Sequence, residues 1–390
     1  MNEKHADARI GFVGDVAVLP EPASAPAWPH GTLALDAGAA AEEAFGRKVP
    51  VWVAVVLVVA LLALIAVSYA IGRYAVPVGE LVNGVFVHFA NPGLIDPANP
   101  AYSVEAGRID RVIFNIRGPR IVLVCLVGAA LACAGASYQG MFKNPLVSPD
   151  ILGSSAGASM GACLAMLLNL PGFYIQVFAF VGGLAAVSLA VLLNRLVKYD
   201  PTLGLVLGGI LVSSLFSSGT SFIKLVADSQ DQLPTIQFWL MGSFNRVDGD
   251  DLMLAVVPLV VGFVILMIMS WRLNVLSFGD DEARAMGVNT RATRLFVIFA
   301  STMLASVSVA VAGVIGYVGL VVPHLARAIV GPNYKVLLPA SMFVGAAFLL
   351  VIDNIARVAF AVEIPIGILT AIVGVPFFVV IFRNQMRGWK

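Results

Sequence analysis

Long apolar runs separated by short polar interruptions dominate the chain from residue 51 onward. A membrane-crossing helix needs about 20 mostly apolar residues. The runs that approach this length are Val51–Ile71, Pro119–Gln139, Pro149–Leu170, Tyr174–Asn194, Thr202–Ile223, Leu252–Trp271, Arg294–Val311, Gly319–Val330, Val336–Phe360 and Pro365–Arg383. They predict ten spans, the eighth being short. Between them lie two long outer segments. In Gly72–Arg117, "VPVGELVNGVFVHF" is amphipathic enough to lie at a membrane surface. In Lys224–Asp251, a short apolar piece carries Trp239. The inner loop from Trp271 to Arg294 is the most charged part of the chain.

Composition agrees with this reading. Of 390 residues, 59% are hydrophobic and 12% charged, far from the roughly 25% charged residues of a soluble domain. The expected class is an all-α, polytopic membrane protein. Most lysines and arginines in the loops and at the span ends, including Lys143, Arg195, Lys198, Arg272, Arg284, Arg291, Arg327 and Arg387, fall on the inner side when the N-terminus is placed inside. Both termini are therefore expected in the cytoplasm. Residues 1–48 are rich in Pro and Ala without a helical period and read as a disordered cytoplasmic tail, leaving 49–390 as the membrane domain. No basic stretch leads into an apolar core before about residue 50, so no secretory signal is expected.

Gly135 and Gly313, Pro145 and Pro323, and Gly153 and Gly331 are each 178 residues apart. Five spans separate the members of each pair, which predicts two inverted five-helix repeats, a plan common among transporters.

Candidate chemistry is sparse. "YQGMFKNPLVSPDILGSSAGA" (138–158) looks like a phosphate-binding turn, but a Walker A loop needs Gly-Lys, and that dipeptide does not occur. The chain is not expected to bind ATP itself. His5, His30, His88 and His324 are scattered, and Cys125, Cys133 and Cys163 lie singly in apolar runs, so neither a metal site nor a catalytic triad is expected. Ser148-Pro149-Asp150 reads as a helix start. Gly153, Gly157 and Gly161, and Gly128, Ala132, Ala136 and Gly140, form small-residue stripes suited to close helix approach. In "GDDEARAMGV", Asp280, Asp281 and Glu282 favour a short helix by their place near its positive end, and Gly287 ends it. Ala283, Met286 and Val288 would supply its apolar contact. Asp353 and Arg357, four residues apart, are placed to pair within one helix.

The stretch "RGPRIVLVCLVGAALACAGASYQGMFKNPLVSPDILGSSAGA", followed in order by "GDDEARAMGV", "GVIGYVGLVVPHLAR" and "DNIARVAFAVEIPIGILTAIVGVPFF", resembles the FecCD-type permeases. These are membrane subunits of ABC importers for iron-siderophores, haem and cobalamin. The resemblance covers roughly Val51 to Arg387 and implies the type II importer permease fold in a bacterial cytoplasmic (inner) membrane. It implies a homodimer of permeases, two separate ATPase subunits that bind ATP, and an extracytoplasmic substrate-binding protein. It also implies residue roles. Gly279, Asp280, Asp281, Glu282, Ala283, Arg284, Met286 and Gly287 would form the ATPase-coupling segment. Arg117, Arg120 and Arg357 would meet the binding protein, with pairing to Asp353 open for Arg357. Pro201 and Thr202 would form a cytoplasmic gate. Ser213, Ser214, Ser217 and Ser218 would line the path or bond back to their own helix. A ferric siderophore is the leading cargo, with haem, cobalamin and molybdate-type oxyanions as alternatives. A secondary transporter driven by an ion gradient is the reading from a different class, and a membrane scaffold a third. No cofactor on this chain, no metal and no nucleic-acid partner are expected.

Overall fold

The computed structural model describes residues 49–72, 76–99, 102–195, 201–245, 247–359 and 362–387. The expected N-terminal tail lies outside the described residues. The described chain is helical throughout.

Helix α1 (Val51–Ala70) is followed by α2 (Val78–Ala90) and α3 (Val104–Asp110). A seven-residue π-helical segment, Arg111–Arg117, joins α3 to α4 (Gly118–Phe142), so that 104–142 form one continuous rod. Then come α5 (Ser154–Leu167), α6 (Gly172–Asn194), α7 (Pro201–Val226) and α8 (Gln232–Leu240). The second half comprises α9 (Gly249–Phe278), α10 (Asp280–Ala285), α11 (Thr290–Ala312), α12 (Val318–Val330), α13 (Tyr334–Val358) and α14 (Ile366–Arg387).

Among the described residues, seven helices are long and apolar enough to cross a bilayer: α1, the α4 rod, α6, α7, α9, α11 and α13. Three shorter apolar helices, α5, α12 and the first part of α14, occupy three of the remaining predicted runs. The α4 rod and α11 form the centre, with 83% and 78% of their apolar windows buried, whereas α1 is 11% buried and presents its apolar side chains outward. Around that centre, α4 packs on α13, α11, α9 and α12, while α5 packs on α6 and α7.

Small residues set these approaches, as the stripes predict. A Cβ on Gly128 would lie 2.3 Å from the Gly345 carbonyl oxygen, and one on Gly135 would lie 1.9 Å from that of Gly319. Gly157 and Gly161 stand in the same relation to the carbonyls of Gly182 and Phe178. Where lipid supplies no hydrophobic drive between helices, such backbone contact provides the packing attraction.

The run Pro149–Leu170 is not one helix. Ser148-Pro149-Asp150 starts only a 3-10 turn (Pro149–Leu152), and Ser148 gives no side-chain cap. Gly153 then adopts a left-handed conformation (φ 86°), and α5 begins at Ser154. The turn is held by packing. Pro149 would collide with a Cβ on Gly319, the Ile151 carbonyl with one on Gly209, and the Ser155 hydroxyl donates to the Asp150 carboxylate.

The 178-residue pairs fall in different local conformations. Gly135 is inside α4 whereas Gly313 terminates α11 at φ 69°. Pro145 lies in the turn after α4 whereas Pro323 is inside α12. Gly153 precedes α5, and Gly331 follows α12.

Candidate functional site

Three places collect the residues singled out above. The first is where the C-terminal ends of α1 and α13 meet the N-terminal end of α4. Arg117, Arg120 and Arg357 are 5%, 8% and 7% exposed, and Asp353 is fully buried. Arg120 donates from Nη2 to Asp353 Oδ1 at 2.7 Å and from Nε at 3.1 Å, and its Nη2 also donates to Glu363. Arg357 brings Nε to within 3.1 Å of the other Asp353 oxygen. Its Nη2 donates to Ser68 Oγ at 2.6 Å and to Asn354 Oδ1, while Ser68 donates to the same Asn354 oxygen at 2.8 Å. Arg117 donates to the Tyr69 carbonyl, and its guanidinium fills the space that a Cβ on Gly72 would need.

Charged side chains this deep are costly unless paired and hydrogen-bonded. Asp353 meets that condition by serving two arginines at once. The intrahelical Asp353–Arg357 contact anticipated from spacing is present. The contribution of Glu363, and those of Ser68 and Asn354, were missed. Pairing across 233 residues leaves no periodic trace in a sequence.

The second place is one face of α7. Pro201 and Thr202 open this helix, but their side chains lie outside the described residues. Of the four serines expected along a path, Ser214, Ser217 and Ser218 are exposed. Ser213 is only half-buried and turns toward the break in the third run, where a Cβ on Gly153 would lie 3.0 Å from its Oγ. The exposed stripe is apolar in its first half (Leu203, Leu207, Ile210, Leu211) and hydroxylated in its second (Ser214, Ser217, Ser218, Ser221). Ser214, Ser218 and Ser221 donate to the carbonyls of Ile210, Ser214 and Ser217 at 2.8–3.0 Å. Three of the four hydroxyl protons are thus directed back to the helix itself, and the stripe has no ionisable side chain before Lys224.

The third place is the loop around α10. Gly279 (φ 145°) breaks the chain away from α9, and Glu282 folds back over the position a Cβ would occupy there. Asp280 accepts from Arg294 Nη2 at 2.9 Å, which fastens α10 to α11. Arg284 pairs with Asp281 at 3.3 Å on the exposed side. Gly287 (φ 79°) ends the helix, with Val288 N–H donating to the Ala283 carbonyl. The expected apolar contact is divided. Ala283 and Val288 pack inward with Val275 and Leu276, while Met286 alone of the three is exposed.

His324 donates from Nδ1 to the Leu320 carbonyl, one turn back in its own helix, at 3.0 Å. Asn144 accepts from Leu146 N–H, forming the turn after α4. Among the described residues no group of three His, Cys, Asp or Glu side chains is placed to hold a metal ion.

Comparison with known proteins adds four findings. The model of the FecCD transport family matches residues 43–384. The chain is 38% identical over 322 residues to the molybdate import system permease protein MolB of Haemophilus influenzae, covering 83% of this chain and 92% of that one. It is 38% identical over 275 residues to the cobalamin import system permease protein BtuC of Halobacterium salinarum, covering 70% and 74%. Among solved structures, a metal-chelate type ABC transporter in an inward-facing conformation superposes with a TM-score of 0.74 at 38% identity, covering 84% of this chain and 97% of that one.

Proposed function

Because this chain belongs to the FecCD transport family, we propose that it forms the membrane path of a metal-chelate importer, with a ferric siderophore as its cargo. It is an ABC transporter permease subunit and not a catalytic enzyme, and ATP is bound by a separate ATPase. In the proposal, the seven membrane-length helices and the three shorter apolar ones make ten crossings, arranged as two inverted five-helix halves of a type II importer permease. Two copies assemble as a homodimer in a bacterial cytoplasmic membrane. Two ATPases dock beneath, and a binding protein delivers cargo from outside.

The observation that carries the cargo class is the uncharged stripe on α7. Ser214, Ser218 and Ser221 donate to carbonyls of their own helix and the stripe carries no positive charge, so the wall offers little with which to grip a bare anion. A chelate whose ligand already shields the metal can pass such a wall through weak contacts. Facing a second copy, the stripes would enclose the path, with Pro201 and Thr202 as its inner gate.

In this reading α10 is the ATPase-docking element, and Met286 with Asp281 and Arg284 forms its outward face. Arg117, Arg120 and Arg357 are offered to carboxylates of the binding protein, which would compete with Glu363 for Arg120.

A second reading, molybdate, is favoured by the 38% identity to MolB. Proteoliposomes containing the permease, its ATPase and its binding protein distinguish the two. ATP-dependent accumulation of a radiolabelled ferric hydroxamate chelate supports the first. Accumulation of labelled molybdate alone overturns it. Uptake by the isolated permease under an ion gradient would overturn the ABC mechanism.

A further inference from the structure

Helix α2 divides its surface in two. One side packs on the rod formed by α3 and the π-helical segment. A Cβ on Gly84 would lie 2.8 Å from Ile109 and 3.0 Å from Ile113, and Val87 is buried. The His88 ring stacks on Phe114 with centroids 3.8 Å apart, and its Nδ1 lies 2.6 Å from an Asp110 carboxylate oxygen. The opposite side carries Val82, Val85, Phe86 and Phe89, spaced i, i+3, i+4 and i+7 along one stripe. Val82, Phe86 and Phe89 are 62%, 61% and 76% exposed. Asn83, also exposed, flanks the stripe, and exposed Glu80 lies on the face opposite it, one turn before Gly84.

Two observations decide what covers it. The first is height. The bond from Arg117 to the Tyr69 carbonyl places Arg117 level with the outer end of α1, a 20-residue span. Phe114, on which the C-terminal part of α2 rests, precedes Arg117 by three residues, which at the rise of an α-helix is at most about 4.5 Å further out. The headgroup zone occupies about that distance beyond the hydrocarbon. The second is continuity. Helix α1 is apolar, only 11% buried, and leads into α2, which it contacts. The lipid-facing surface of the span therefore runs on into the stripe of α2.

We infer that α2 is an interfacial helix whose Val82, Val85, Phe86 and Phe89 sit in the glycerol and upper acyl zone of the outer leaflet. Through Phe114 and Asp110, the bilayer surface then fixes the height of the rod that carries Arg117 and Arg120. An apolar stripe with a polar flank is the pattern by which such helices bind membranes.

Nitroxide labels on the full chain in phosphatidylcholine nanodiscs test this. Cysteine is introduced singly as Glu80→Cys, Val82→Cys, Asn83→Cys, Phe86→Cys and Phe89→Cys, with the half-buried Cys125 replaced by alanine. Val85→Cys takes the place of any stripe variant that does not elute as a single folded species. Collision with dissolved oxygen should exceed collision with a water-soluble nickel chelate several-fold at 82, 86 and 89, and the order should reverse at 80 and 83. Nickel-chelate access along the stripe would place it in water. Protection from both reagents would place it against protein, a second copy or another partner. Either result overturns the inference.

Discussion

Arg120 and Asp353, 233 residues apart, meet in a buried contact in which the guanidinium reaches one carboxylate oxygen from both Nη2 (2.7 Å) and Nε (3.1 Å). The pair ties the N-terminal end of α4 to the C-terminal end of α13, and Arg357 adds α1 through Ser68. Removing one partner of a buried pair leaves the other charge uncompensated, at a cost of about 3–5 kcal/mol. Asp353→Asn is therefore expected to lower the unfolding temperature of the detergent-solubilised permease markedly. Glu363→Gln should do so less, because the carboxylate at 353 still serves Arg120. Equal, small shifts for both would show that Asp353 is not the centre of the cluster.

The contact of α4 with α12 depends on the missing side chain of Gly135, where a Cβ would lie 1.9 Å from the Gly319 carbonyl. Backbone cannot yield as a flexible side chain can, and overpacking costs about 1–3 kcal/mol. Gly135→Ala should lower thermal stability by that order. Gly79→Ala, where nothing lies within 4 Å, should be neutral. Indistinguishable melting curves for the two variants would refute the close-packing account of the α4–α12 contact.

Much of this arrangement is legible in the sequence because it is local. Apolar runs gave the long spans, glycine spacing gave the helix contacts, and the acidic start and Gly287 gave α10. The Asp353–Arg357 pair was visible as an i, i+4 relation. What escaped depends on tertiary contact. Pro149 begins a 3-10 turn because Gly319 and Gly209 admit that turn against α12 and α7, and Asp150 turns to Ser155. Arg120 finds Asp353 and Glu363 only once α4, α13 and the segment that follows α13 share a depth. Ala283 and Val288 are apolar like Met286, and sequence cannot tell which of them faces the protein.

If α10 carries ATPase docking, its outward and inward residues should separate by assay. Met286→Glu should weaken capture of the purified ATPase by the permease at least tenfold without changing the permease's own melting temperature, because Met286 is 59% exposed. Ala283→Leu should instead lower the melting temperature by disturbing its packing with Val275, Leu276 and Val288. Unchanged ATPase capture by Met286→Glu would remove α10 from the docking surface.

The stripe on α7 makes the sharpest demand on the proposed path. An uncharged wall passes cargo through weak contacts, so a charge placed on it should slow transport without disturbing assembly. Ser217→Arg, at an exposed position in the hydroxylated half, is expected to reduce ATP-dependent chelate uptake more than tenfold in the reconstituted importer. The same complex should still form. Ser213→Arg probes a different surface, since Ser213 faces the break at Gly153, and should lower stability instead. Labelling supplies an independent measure: a membrane-impermeant thiol reagent should modify Ser217→Cys from the outer side, and bound binding protein should slow it. Normal uptake by Ser217→Arg would mean that cargo does not pass along α7.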